Sequence, residues 1–226
     1  EYSAFLEQNE VIENTRESDQ IKRVGEKITA AAEAYFQHKG NLAVLKDYAW
    51  EYNLVKNDQR NAWCMPGGKI VFYTGILPTA KTEAGIAAIM GHEVAHALAD
   101  HGAQSMSANT AKVGVDFLVG RSVKNQPQDK QKKILAAYGI GSHVAGILPF
   151  SRKHETEADR IGLELMTIAG YAPKEAADLW RRMHAASEGK TPPEILSTHP
   201  SSLRRIRNIE AHIPVADSLA AVLQKN

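Results

Sequence analysis

The chain has little that could hold it together covalently. One cysteine, Cys64, in 226 residues forms no internal disulfide and anchors no cysteine-rich structural metal site, so it reads as a packing residue. Long apolar runs are missing too: no stretch approaches the roughly 18 residues of a membrane span. There is no excess of charge of either sign. With 27 basic against 26 acidic residues the formal net charge is +1, which gives no electrostatic footprint for nucleic acid. The cluster Arg204, Arg205 and Arg207 does not change this, since a solvated helix face accounts for Arg204 and Arg207. Heptads, low-complexity tracts and internal repeats are absent. The first residue is Glu1 and not Met, which reads as a processed or trimmed product whose leader is no longer visible.

What is present is an ordinary globular composition, 43% hydrophobic and 23% charged, in a chain long enough for one sizeable core. Within it, His92-Glu93-Val94-Ala95-His96 carries the most chemistry. The surrounding residues, Thr82 to Asp100, predict a helix with Glu83 in its first turn and Gly102 just past its end. Residues four apart on a helix lie one above the other, so His92 and His96 can grip one metal ion. Glu93 lies about 100° round from His92 and is placed to act as general base toward a water at that metal.

A catalytic zinc takes three protein ligands and keeps one position open. The third is available in Ser151-Arg152-Lys153-His154-Glu155-Thr156-Glu157-Ala158-Asp159, which opens a second helical stretch running to about Ala169 with Gly170 as its stop. Glu155 and Asp159 are four apart and share a face. Glu155 is the economical third ligand. Asp159 is the carboxylate that would accept the second ring N–H of His92 and fix its tautomer. Glu157 projects elsewhere and reads as a surface carboxylate. His38, His101, His143, His154, His184 and His212 have no matching partner in the sequence and read as surface or core histidines.

The rest of the chain is organised around this pair of helices. Ser18-Asp19 reads as the cap of an amphipathic helix carrying Ile21, Val24, Ile28 and Tyr35 and ending near Gly40. Tyr48, Trp50, Tyr52 and Leu54 alternate with Ala49, Glu51 and Asn53, a strand pattern. Asn57 to Arg60 and Pro66-Gly67-Gly68 read as turns, and Lys69 to Tyr73 as a short strand. Such a strand can either be buried or offer a free edge on which an extended substrate adds itself. Residues 105–150 hold two apolar stretches around a polar break. They read as ordinary packed helices, a lid over the cleft, or a face for a membrane or partner. Lys174 to Ala186 is helical, with Trp180 as a core residue.

The combination of HEVAH, SRKHETEAD and Ser197-Thr198-His199-Pro200 resembles the zinc metallopeptidases of the HtpX and CAAX-prenyl-protease type, especially their soluble bacterial envelope members. Asn61-Ala62-Trp63-Cys64-Met65-Pro66-Gly67-Gly68-Lys69-Ile70-Val71-Phe72-Tyr73-Thr74-Gly75 resembles the strand signature of the same family, with Trp63-Cys64 as a departure. The resemblance covers roughly residues 20 to 210.

The resemblance implies a predominantly helical α+β, zincin-like metallopeptidase domain, with a small antiparallel or mixed sheet beside the HExxH helix. Residues 1–17 would be an N-terminal extension and 18–226 one peptidase domain, with 105–150 as its lid or helical insertion. One Zn2+ per chain would be held by His92, His96 and Glu155, with Glu93 as general base. His199 and Arg205 would reach the cleft, His199 either stabilising the oxyanion or filling the open metal position. Asn61, Ala62, Gly68, Ile70 and Val71 would bind substrate. The resemblance further implies polypeptide substrates, above all unfolded or misassembled envelope proteins, and a periplasmic location with membrane association through a leader or lipid anchor. Outer-membrane assembly factors would be partners, and a latent, chaperone-like enzyme is the alternative activity.

Overall fold

The computed structural model describes residues 2–107, 118–119, 121, 123–124, 126–134, 148–187, 195–199 and 203–224. The chain divides into two compact units, residues 1–99 with 156–226, and residues 100–155. The first opens with helix α1 (Tyr2–Glu7) and strand β1 (Val11–Ile12), followed by the long helix α2 (Arg16–His38). The expected cap of α2 at Ser18-Asp19 is corrected to Thr15. The Thr15 hydroxyl accepts the Ser18 N–H at 3.1 Å while the Ser18 hydroxyl accepts the Thr15 N–H at 2.9 Å, a reciprocal capping box. Ile21, Val24, Ile28, Ala32 and Tyr35 line the buried face of α2.

Strands β2 (Glu51–Val55), β3 (Ala62–Met65) and β4 (Lys69–Tyr73) follow. The sheet is mixed, in the order β1-β2-β4-β3, with β2 parallel to β4 and the two outer pairs antiparallel. Gly67 and Gly68, at φ +86° and +89°, make the turn that folds β3 back on β4. Because strand side chains alternate, each face of the sheet gains its own cover. Leu54, Ile70 and Phe72 join α2 and the central helix in the main core. Val55, Val71 and Tyr73 form a second cluster with Tyr2, Phe5, Leu6, Val11 and Trp63. Residues 2–12 therefore supply a strand and part of the cover for one sheet face.

After α3 (Leu77–Ala80) comes α4 (Glu83–Leu98), capped by the Thr82 hydroxyl on the Gly85 N–H at 3.1 Å. It is buried on nearly its whole circumference, as a helix at the centre of a core must be. Further helices are α5 (Leu148–Ile168), α6 (Lys174–Ser187), α7 (Ile195–Thr198) and α8 (Leu203–Leu223). Gly170 follows α5 at φ +86°.

In the second unit residues 101–107 are helical. The buried rings of His101 and His154 stack there with centroids 4.1 Å apart, and His154 Nε2 lies 3.1 Å from Gln104 Oε1. The reading of 105–150 as a lid or insertion falls largely on residues 108–117 and 135–147, which lie outside the described residues. No described helix is long and apolar enough to cross a membrane.

Candidate metal centre

Helix α4 places His92 and His96 one turn apart, and their Nε2 atoms converge to 3.1 Å. His199 approaches from the segment after α7, with Nδ1 3.2 Å from His92 Nε2. Its backbone is fixed by an N–H bond to Ile195 O at 2.9 Å, and Ile195 N–H is bonded to Arg60 O at 3.2 Å. Nitrogens at this spacing either share a ring proton or converge on one ion. Zinc–nitrogen bonds of about 2.0–2.1 Å at tetrahedral angles put neighbouring donors about 3.3 Å apart, so these separations fit one ion. Ligand atoms of His92, His96, Glu155 and His199 all lie within 4.8 Å of one another. Glu155 stands one turn before Asp159 on α5.

Glu93 is 4% exposed, and its Oε1 has no hydrogen-bond partner among the described residues. The His199 Nε2 stands 3.7 Å from that oxygen. A buried carboxylate oxygen left open beside converging histidines is a place for water.

Behind His92 a tight polar cluster sets its orientation. Asp159 Oδ1 lies 3.1 Å from His92 Nδ1, a contact that suits a proton on Nδ1 and would leave the Nε2 lone pair for a metal. Arg205 donates to both oxygens of Asp159, from Nε at 2.6 Å and from Nη2 at 2.7 Å. Burial alone would raise the Asp159 carboxyl, but the Arg205 guanidinium and the His92 ring outweigh it and hold it below its ordinary value.

Arg205 is 6% exposed, paired with Asp159, bonded through Nη1 to His199 O at 3.4 Å, and stacked on Trp180. Its Nη2 also lies 3.2 Å from His92 Nδ1 and 3.1 Å from His92 Nε2, so it packs directly against that ring. Trp180, read from the sequence as core, also touches this cluster. Nothing local in the sequence marks it, because the contact joins α6 to α8.

Close helix approach brings these carboxylates in. A Cβ on Gly91 would lie 2.7 Å from Gly162 O, and one on Gly162 would lie 2.7 Å from His92 N. Here α4 and α5 cross backbone to backbone, three residues from Asp159.

The strand residues are sorted by sheet order. The free-edge reading of Lys69 to Tyr73, with Ile70 and Val71 as substrate-binding residues, is corrected: β4 is bonded to β2 on one side and β3 on the other. Gly68 serves the turn, its N–H bonded to Met65 O at 3.1 Å, with the Trp50 ring packed where a side chain would stand. The edge is β3. Tyr73 N–H donates to Asn61 O, and from that bond the alternation of an antiparallel ladder turns Trp63 and Met65 toward β4 and Ala62 and Cys64 outward. The Ala62 N–H is taken by Asn61 Oδ1 at 3.0 Å. The Cys64 side chain packs against the main core on the α4 side of the sheet. Burial, with the Glu93 carboxylate adding, pushes its thiol up, which suits its reading as a packing residue.

Two histidines on a central helix, a buried carboxylate between them and an acidic pair on the crossing helix, all beside a small mixed sheet, fit a zincin-like metallopeptidase domain. The chain belongs to peptidase family M48, whose model matches residues 15–213; the zinc of this family is what the donor set fits. It is 41% identical over 174 residues to the mitochondrial metalloendopeptidase OMA1 of Schizosaccharomyces pombe, covering 76% of this chain and 49% of that protein. To the Saccharomyces cerevisiae protein of the same name it is 34% identical over 212 residues, covering 89% of this chain and 57% of that protein. It is also 27% identical over 154 residues to the beta-barrel assembly-enhancing protease of Escherichia coli, covering 67% of this chain and 32% of that protein. The chain thus spans about half the length of the two mitochondrial relatives. These similarities correct the expected location. The relatives at 31–41% identity are named as mitochondrial proteins, which overturns the bacterial envelope and periplasmic lipoprotein reading.

Proposed function

We propose that this chain is a zinc-dependent endopeptidase that hydrolyses peptide bonds within extended stretches of polypeptide. The observation that carries the reading is the open, buried Oε1 of Glu93 beside the convergent rings of His92, His96 and His199. His92, His96 and Glu155 would hold the metal. Zinc, when bound, polarises the scissile carbonyl and makes water a nucleophile near neutral pH. Glu93 accepts the proton of the attacking water. As the carbon–nitrogen bond breaks, it passes that proton to the leaving amine. Asp159, clamped by Arg205, keeps the His92 ring in its ligating tautomer. The outward backbone groups of Cys64 and the carbonyl of Ala62 offer an edge on which a substrate adds a strand.

Substrates are assigned by this chemistry: unfolded or misassembled polypeptides, which expose extended backbone. Similarity to a protease named for enhancing β-barrel assembly supports chains awaiting assembly, and their assembly factors as partners. A second reading rests on His199. Its Nδ1 lies within the donor set, so it can complete a four-ligand site and hold the enzyme latent, leaving a chaperone-like binder. In that case His199→Ala cleaves faster than wild type. If His199 instead stabilises the developing oxyanion, the variant cleaves more slowly.

The test is casein cleavage with zinc stoichiometry measured on the same sample. Wild type with about one zinc per chain cleaves, and Glu93→Gln keeps the zinc and loses nearly all cleavage. Equal cleavage by both proteins would refute the general base.

A further inference from the structure

Trp180 offers no metal donor, yet two groups of the centre rest on it. The guanidinium carbon of Arg205 lies 3.4 Å from the centroid of its indole. The ring of His92 meets the same indole edge-on, with centroids 5.5 Å apart at 71°. Trp180 is 3% exposed, so both contacts are desolvated, where a cation on an indole face holds most strongly.

Geometry says what the contact does. Arg205 reaches both oxygens of Asp159 through Nε and Nη2 at 2.6 and 2.7 Å, and Asp159 Oδ1 lies 3.1 Å from His92 Nδ1. Two parallel bonds between guanidinium and carboxylate require the two planes to coincide. The plane of a guanidinium at the end of a four-torsion side chain is set by what it lies on. Here it lies on the indole, which is a flat platform presented by a different helix.

We infer that Trp180 is a positioning residue for the metal centre. Its indole face fixes the plane of Arg205, Arg205 fixes Asp159, and Asp159 holds His92 with Nε2 turned to the metal. The assignment rests on the metallopeptidase reading above. It differs from ordinary core packing in one respect: packing needs volume, whereas positioning needs an aromatic face.

Trp180→Phe and Trp180→Leu separate the two. Both remove volume, but only Phe keeps a face for the guanidinium. Zinc affinity is measured by competition with a chelating indicator, and the melting temperature of the zinc-free protein reports packing. Loss of a partner that orients a ligand typically lowers metal affinity about 10–100-fold. Trp180→Leu is expected to lose about tenfold or more, and Trp180→Phe to stay within about threefold of wild type, while the two lower the zinc-free melting temperature alike. Equal zinc affinity in all three proteins, or losses that track the melting temperature, would overturn the assignment. A wild type that binds no zinc would overturn the metallopeptidase reading and this inference with it.

If Trp180→Leu does not fold, Arg205→Lys gives a second route, because lysine has no plane to orient. Adding Trp180→Met, which has no aromatic face but a more adaptable shape than leucine, to Arg205→Lys is then expected to cost no more zinc affinity than Arg205→Lys alone. Additive losses would show that Trp180 acts independently of Arg205.

Discussion

Gly91 and Gly162 face each other where α4 crosses α5, and a Cβ on either would lie 2.7 Å from the opposite backbone. Glycine in a helix interior ordinarily costs about 1 kcal/mol relative to alanine. At this crossing the usual order reverses, because the space for a methyl group is filled by main chain, which cannot swing away as a side chain can. Gly162→Ala is expected to destabilise the zinc-free protein by about 1–3 kcal/mol and to weaken zinc binding as Asp159 moves from His92. Denaturant unfolding and zinc competition check it; a gain of stability would show that the helices have room to part.

Glu155→Ala is expected to leave the zinc below one equivalent per chain after dialysis, since two histidines alone seldom retain the ion. Metal analysis decides this. Full stoichiometric zinc in the variant would move the third ligand to another residue, with His199 the next to test.

Removing Asp159 leaves the Arg205 cation buried with its main counter-ion gone. Breaking one side of a buried ion pair costs about 3–5 kcal/mol, more than replacing both partners by apolar groups. Asp159→Ala is thus expected to destabilise the chain more than Asp159→Leu with Arg205→Met does. Unfolding of the single and double variants measures the difference. A double variant less stable than the single one would mean that the pair itself stabilises the fold.

The free edge of β3 is open to a backbone test. Proline is tolerated on an edge strand where its missing N–H would have faced outward. Cys64→Pro is expected to raise KM for casein about tenfold, a loss of roughly 1.4 kcal/mol of binding, with zinc content unchanged. Unchanged KM would remove β3 from substrate binding.

The sequence made local features legible and left long-range ones hidden. Helix α4 runs Glu83–Leu98 behind Thr82 as its cap, close to the stretch read from Thr82 to Asp100, because cap, acidic first turn and histidine spacing are all local signals. Helix α2 begins earlier than expected because the box closing on Thr15 uses serine where glutamate or glutamine is usual. Strand β4 was visible as a strand, but its place inside the sheet was not: strand order depends on β2 returning parallel beside it, and no local pattern records that. Arg205 and Trp180 were visible only as a basic residue and a bulky one. Their meeting face to face follows from the packing of α6 against α8.

The span of chain between the parts of the centre has a consequence for its birth. His199 lies 107 residues after His92, and Arg205 lies 113 residues after it. A ribosome adding about 5–20 residues each second releases the HEVAH helix many seconds before the helix bearing Arg205. During that interval His92 lacks the Arg205 end of the polar cluster behind it. That cluster is therefore completed only when α8 has been made and docks against α6.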